Sequence, residues 1–452
     1  MSTEGLVGNN REGRATPRLA QNWSTSPDGL RWVFTLRGNA KFHDGSPVDA
    51  ANVKRSLDES LASFTDRSLV PGLDDVVDIG VNGPRELTVT LRNRSTFFLD
   101  DLALPISKRG KDAKSIGTGP FIVKTSSPGE IVMSTFADHY LGTPRVEEIV
   151  WRPYPALRTA WAGMMRDEVD FLYEVGQETV EFVQGESSVN TFTFLRPYVF
   201  GVVFNSGRHP FQDRQVRRAL NFAIDRQAVV DGALKGRGIV AHTPVWPDHW
   251  AYDQTIPGYS YDPLRAAAIL DESHKRLNSS QGHAGSPARF RFTCLLIENL
   301  AHWERMALIV QKQLFAVGVD MRLEAVPANV FNERVARGDF EALFLELVSG
   351  RSIGKPYLFW HSAGAFNSFG YRSDAVDDVW DAIRRAPDDD VYKRSVSLLQ
   401  RSLVADPPAI FLAWGQTTRA VSKRFEVPAT TGSDILASLG SWLPARTSES
   451  AR

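Results

Sequence analysis

At 452 residues the chain is longer than an ordinary single domain and implies roughly two or three. Hydrophobic residues make up 42% and charged residues 23%, the balance of a globular chain with a sizeable core. Fifty-two basic residues against 53 acidic ones leave a net charge of −1, which excludes the basic surplus of a nucleic-acid binder.

The first residues, Met1-Ser2-Thr3-Glu4-Gly5, have neither a basic n-region nor an apolar h-region, so no secretory signal is read there. No apolar run long enough to span a membrane occurs further on. From Pro17 to Glu59 the chain reads as three pieces joined by two turns. Asp28-Gly29 is turn chemistry ahead of Arg31-Trp32-Val33-Phe34-Thr35-Leu36, whose Trp32, Phe34 and Leu36 share one face of a strand. After His43-Asp44-Gly45-Ser46-Pro47, Asp49 stands as the N-cap of a helix with Val53, Leu57 and Leu61 stacked. His43-Asp44 has the outline of a catalytic dyad, but Asp-Gly-Ser-Pro is ordinary turn chemistry and takes precedence.

Short strands and turns follow to Phe136, with Leu87, Val89 and Leu91 alternating on one face. Gly117-Thr118-Gly119-Pro120 lacks the Lys-Ser/Thr and helix of a phosphate loop and reads as structural. Strands over 146–150 and 169–172 flank a helix from Leu157 to Met165, and two more strands are expected at 192–195 and 200–204. Asp213 and Asp225 then cap consecutive helices, the first carrying Val216, Leu220 and Ile224 on one face.

Beyond a polar loop at 278–287 the rhythm becomes strand and helix in alternation. Strand 290–297 contains Cys294, the single cysteine, read as a buried small hydrophobe that forms no disulfide within the chain. A helix over 300–317 ends at Gly318, strand 319–323 follows, and Asn329 caps a helix that runs to Gly338. Strand 340–347, helices 374–385 and 391–404, and strand 409–414 complete a pattern that implies a helix-covered parallel sheet. The tail 447–452 is too polar to fold alone.

Two stretches, "P-LA-W … DG-W-F-LR … KFHDG-P … A-NV-RS" within 17–56 and "N-PF-D-VR-AL-AID" within 205–225, resemble the signatures of the family 5 extracytoplasmic solute-binding proteins. These are the oligopeptide-, dipeptide- and nickel-binding receptors of ABC importers. The resemblance implies an α/β, bilobal, periplasmic-binding-protein-like clamp. Its discontinuous first lobe would be 1–15, 146–240 and 418–452, with a β-rich subdomain at 16–145 inserted and a second lobe at 241–417. Hinges are expected near His242 and Gln416, and closure would bury a ligand between the lobes. It also implies a signal and a first strand ahead of Glu4-Gly5-Leu6-Val7. On that reading the chain lacks both, and an unpaired sheet edge should make it poorly soluble.

Tyr198, Phe200, Trp246, Ser349, Arg351, Trp360, Asn367 and Trp414 are the candidate ligand-binding residues, with Phe359-Trp360-His361-Ser362 and Phe366–Phe369 forming an aromatic-polar loop that would wall the ligand. Peptide-binding members carry a motif similar to W-x-x-D-Y whose Asp pairs with the ligand's α-ammonium. Here Leu347 stands for the Trp and Gly350 for the Asp, so that carboxylate is absent; Arg351 beside it reads either as facing an anionic or carbonyl-rich ligand or as a solvated residue on a turn. Expected partners are a small or peptide ligand and the permease subunits, with the chain a monomer located in the periplasm or outside the membrane. No catalytic, cofactor or metal site is expected. Gly350-Arg351-Ser352 lacks the second glycine of a nucleophile elbow, no His-Glu-x-x-His occurs, and His242 and His249 do not share a helix face. A cytoplasmic sensor on the same scaffold and a hydrolase are the alternatives.

Overall fold

The computed structural model describes residues 1–63, 69–110, 114–176, 179–278, 288–428 and 432–445, without the side chains of 274–278. The polar loop beyond residue 278 and the tail 447–452 lie outside the described residues. The chain forms two compact units, Met1–Leu195 with Gln416–Arg452, and Arg196–Gly415. It passes between them within two long strands, Val189–Phe204 and Ala409–Ser422. By compactness the segment 196–240 therefore groups with the second unit.

In the first unit, Asp28 accepts from the Leu30 N–H (3.0 Å) and turns the chain between strands Ala20–Thr25 and Arg31–Leu36. The latter also pairs with Glu86–Leu91, which pairs with Val76–Val81, all antiparallel. Helix Ala50–Ser63 starts where Asp49 accepts from the Asn52 N–H (2.8 Å), and it buries Val53, Leu57 and Leu61 in one core with Phe34, Leu36, Leu87 and Val89. His43 and Asp44 are structural. His43 Nε2 lies 2.9 Å from the Gly119 carbonyl, and Asp44 binds Lys108 (2.7 Å) and the Ser46 hydroxyl (2.7 Å). Partial burial opposes Asp44's charge, but these donors outweigh it and hold its carboxyl down at about 2.

The Gly-Thr-Gly-Pro turn is a seat for the start of the chain. The Gly119 N–H donates to the Ser2 carbonyl (3.0 Å), and a Cβ at Gly119 would lie 2.1 Å from the Met1 carbonyl oxygen. Only glycine permits that backbone approach. Strands Phe121–Ser127, Glu130–Thr135 and Glu148–Trp151 form a separate three-stranded sheet. Helix Leu157–Met165 leads to strand Phe171–Val175, which pairs antiparallel with the end of Ala409–Ser422 (Phe171 opposite Val421). Arg419 anchors the returning segment. Its buried guanidinium makes two 2.7 Å bonds to Asp434 and lies 4.1 Å from the Tyr173 ring centre.

In the second unit, Phe290–Ile297 runs parallel to both Val319–Val326 and Ala342–Val348, the parallel sheet expected from the alternation. The part of Val189–Phe204 that follows Arg196 pairs antiparallel with Ala342–Val348. Helix Ala301–Ala316 buries Trp303, Met306, Val310 and Leu314 against the sheet residues Phe292, Cys294 and Phe344. Helices Arg214–Phe222 and Arg226–Leu234 are capped by Asp213 and Asp225, as their sequence indicates.

Three local expectations change. The strands read at 192–195 and 200–204 are one strand, because Pro197 needs no ladder donor and its carbonyl accepts from Ser349 and Gly350 N–H (3.1 and 3.0 Å). Asn329 lies inside helix Ala328–Ala336, whose N-cap is Pro327, and caps nothing. Phe359 and Trp360 close helix Gly354–Trp360 rather than opening a loop.

Candidate ligand-binding site

All eight candidate ligand residues fall in the second unit. Alternation along Val189–Phe204 puts Tyr198 and Phe200 on one face, opposite Val348 and Glu346 of the neighbouring strand. Arg196, two residues before Tyr198, shares that face. Its guanidinium lies 4.6 Å from the Tyr198 ring centre, and Nη1 is 3.4 Å from Glu346 Oε1. Phe200 meets the His302 ring edge-on at 5.8 Å, at the start of helix Ala301–Ala316. Arg196 and Tyr198 are half-buried, whereas the Glu346 side chain is only 12% exposed and its Oε1 is out of solvent, so the cation–π and ion-pair contacts orient a largely desolvated carboxylate.

Beyond Val348 the chain turns sharply. Gly350 has φ +68°, a left-handed conformation in which an L side chain is strained. Ser349 is buried, and its hydroxyl donates to the Pro244 carbonyl, so the turn is locked to the 244–246 segment. Arg351 is half-buried, and among the described residues its guanidinium has neither an ion-pair nor a hydrogen-bond partner. A cation is thus available at the strand end where the resemblance leads one to expect a carboxylate.

The aromatic candidates separate by environment. Trp246 and Trp414 are only 3% and 2% exposed and meet edge-to-face at 5.3 Å. Trp360, 1% exposed, packs edge-on against Phe411. Asn367 ties its own loop together, donating to the carbonyls of His361 (3.0 Å) and Tyr371 (2.7 Å) and accepting from the Tyr371 N–H (3.3 Å). The structure thus groups Tyr198, Phe200, Ser349 and Arg351 around the strand ends. Trp360 and Asn367 are engaged in packing and loop closure.

Sequence reasoning passed over Arg196 and Glu346. Both left signals: Arg196 at i−2 from Tyr198 shares its strand face, and Glu346 is the one charge in the apolar run Ala342–Val348. Among the described residues no group of three or more His, Cys, Asp or Glu side chains could hold a metal ion, and no helix is long and apolar enough to cross a membrane.

Residues 14–368 match the bacterial extracellular solute-binding proteins, family 5 Middle, and the chain belongs to that family. Among curated relatives, the glutathione-binding protein GsiB of Salmonella typhimurium is 28% identical over 338 residues, which cover 72% of this chain and 64% of that protein. The probable D,D-dipeptide-binding periplasmic protein DdpA of Escherichia coli is 26% identical over 343 residues, 72% of this chain and 63% of that one. The match therefore spans just under two thirds of either relative's length.

Among solved structures, NikZ from Campylobacter jejuni, in complex with Ni(L-His), superposes with a TM-score of 0.83 at 20% identity over 98% of this chain and 94% of that one. The substrate-binding protein CtaP from Listeria monocytogenes gives 0.86 at 18% identity, over 98% and 93%. At these identities the likeness establishes the fold.

Proposed function

We propose that this chain is the substrate-binding component of an ABC importer, taking up a small peptide-like solute outside the cytoplasmic membrane and presenting it to permease subunits. Membership of the solute-binding family supports the class, and the names of the curated relatives, for glutathione and a D,D-dipeptide, suggest the size of the solute. The observation that carries the finer reading is the pairing of a left-handed Gly350 with an Arg351 that has no partner among the described residues, at the end of strand Ala342–Val348. A carboxylate-bearing solute would meet a cation there. Binding would leave the solute chemically unchanged, so the chain is not an enzyme, and it works as a monomer without a cofactor.

Thermal-shift titration with reduced glutathione, D-Ala-D-Ala, N-acetylated dipeptides and dipeptide amides tests this. Ligands with a free carboxylate should raise the melting temperature, and Arg351→Ala should abolish the rise without lowering the unliganded value. Equal shifts for dipeptides and their amides would rule out the assigned polarity. Steady turnover of any of these compounds would rule out pure binding.

A further inference from the structure

In the second unit, the segment 250–260 is fastened along helix Asp389–Ala405. The Ser397 hydroxyl donates to Asp253 Oδ2 (2.5 Å), the Asp253 N–H donates to Gln400 Oε1 (2.9 Å), and the Tyr259 hydroxyl donates to the Val404 carbonyl. Two grooves, of about 690 and 600 Å³, are lined by both elements and meet at Arg401. Together they follow the helix from Lys393 to Ala405, a path of roughly 18 Å.

The walls are strongly basic. Lys393, Arg394 and Arg401 come from that helix, Arg218 from helix Arg214–Phe222 and Arg265 from helix Pro263–Asn278. Among the described lining residues Asp253 is the only acid, and its oxygens are already engaged. Oδ2 takes the Ser397 hydroxyl, and Oδ1 accepts from the Thr255 N–H (2.9 Å) and hydroxyl (2.6 Å). Ser397 and then Thr255 hold that carboxyl down at about 2. Arg401 approaches it only to 4.0 Å. Among the described residues the Arg394 and Arg265 guanidiniums have no ion-pair partner, and Arg218 Nε is buried without a hydrogen-bond acceptor. Like charges gathered in this way repel one another, and an anion from outside relieves them.

The form of the groove selects among anions. Arg394 and Arg401 stand seven residues apart on the helix, about 10 Å, which is too far for one small anion to bridge. A flat lipid surface would touch the exposed Arg394 and Arg401 but not the buried Nε of Arg218. A single-stranded nucleic acid needs open aromatic platforms. Here Trp250 has Tyr392 stacked on it at 4.9 Å and Lys393 over it at 5.7 Å, and Phe222 carries Arg265 at 4.1 Å. An extended peptide with acidic residues at alternate positions presents a carboxylate about every 7 Å along one face, so three of them span the path. Leu398, 50% exposed between Arg394 and Arg401, offers an apolar contact for its backbone or methyl groups. We infer that the groove between segment 250–260 and helix Asp389–Ala405 is a docking site for an extended acidic segment of a partner protein.

Fluorescence anisotropy of the full chain with a dye-labelled Glu-Thr-Glu-Thr-Glu-Thr amide tests this, with the Gln-Thr counterpart as control. The acidic peptide should bind saturably and the neutral one should not, and added salt should weaken the binding. Arg394→Glu should weaken it about tenfold, and Arg394→Glu with Arg401→Glu should weaken it further. Both side chains are exposed, so unchanged melting temperatures are expected. Arg351→Ala should leave the affinity as it was. Equal binding of the two peptides, no saturable binding of the acidic one, or indifference to both charge reversals would overturn the proposal. So would loss of binding in Arg351→Ala alone, which places the peptide in the solute site. Co-sedimentation with phosphatidylglycerol vesicles that Arg394→Glu abolishes, without any peptide binding, would assign the face to lipid and also overturn it.

Discussion

The guanidinium of Arg226 donates to the carbonyl of Phe411 at 2.7 Å, fastening the start of a helix to a strand far along the chain. It is the last of three such contacts: Arg217 donates to Pro407 (2.9 Å) and Asn221 to Ala409 (3.1 Å), so alternate carbonyls of the incoming strand are held by side chains of two consecutive helices. Arg217, Asn221 and Arg226 are therefore clamps on the segment 407–411, which leads into the strand Ala409–Ser422. Arg226 also donates to the Ala241 carbonyl, the Asn221 carbonyl and Asn221 Oδ1, and burial lowers its pKa to about 10.

Removing that fork leaves several buried acceptors without donors. Arg226→Met should cost about 3–5 kcal/mol in chemical denaturation. Arg226→Lys should recover only a fraction, because an ammonium cannot serve the same spread of acceptors. A loss below about 1 kcal/mol for Arg226→Met would show that water replaces the guanidinium without penalty.

His242 predicts a pH dependence. Burial, with a smaller contribution from the Arg226 charge, lowers its pKa to about 4, and its Nδ1 accepts from the Tyr259 N–H. The unfolded state, titrating near about 6.5, binds more protons than the folded state between those values. Stability should therefore be fully present above about pH 6.5 and fall as the pH drops toward 4, by up to about 3 kcal/mol before solvent screening. His242→Gln should flatten that window relative to the parent chain. Identical pH profiles for the two proteins would assign the slope to other groups.

The turn at Gly350 ranks substitutions by backbone rather than charge. With φ at +68°, Gly350→Asn and Gly350→Asp should each cost about 1 kcal/mol, and Gly350→Val more. Thermal melts of the three variants check the order. If Gly350→Asp also produced affinity for free-amine dipeptides, the missing carboxylate alone would set ligand choice.

Gly119 makes the start of the chain sensitive to a single methyl group. A Cβ there would sit 2.1 Å from the Met1 carbonyl oxygen, so Gly119→Ala should push Met1 and Ser2 off their seat. Faster amide exchange at Gly119 and Phe121, with the helix Ala50–Ser63 unaffected, is the expected signature. Unchanged exchange at both positions would mean that the turn shifts instead.

Much of the secondary structure could be read directly because burial imposes a period. Val53, Leu57 and Leu61, or Leu87, Val89 and Leu91, advertise their faces without reference to the rest of the fold. Continuity across Pro197 could not be read this way, since it depends on Ser349 and Gly350 arriving from a distant part of the chain to use the Pro197 carbonyl. The same holds for Arg196 and Glu346, which meet only through strand register. Trp360 read as part of a ligand-walling loop, and it is buried because the helix Gly354–Trp360 turns it toward Phe411. Local pattern reports which face is apolar; it does not report which distant segment covers that face.

Cys294 lies fully buried in the strand Phe290–Ile297, and desolvation raises its thiol pKa well above the ordinary range. Because the chain has one sulfhydryl, a thiol-specific dye can react at a single position, and only when that strand is uncovered. Labelling rates in dilute denaturant would then act as a clock for breathing of the second unit, read without a probe on its surface.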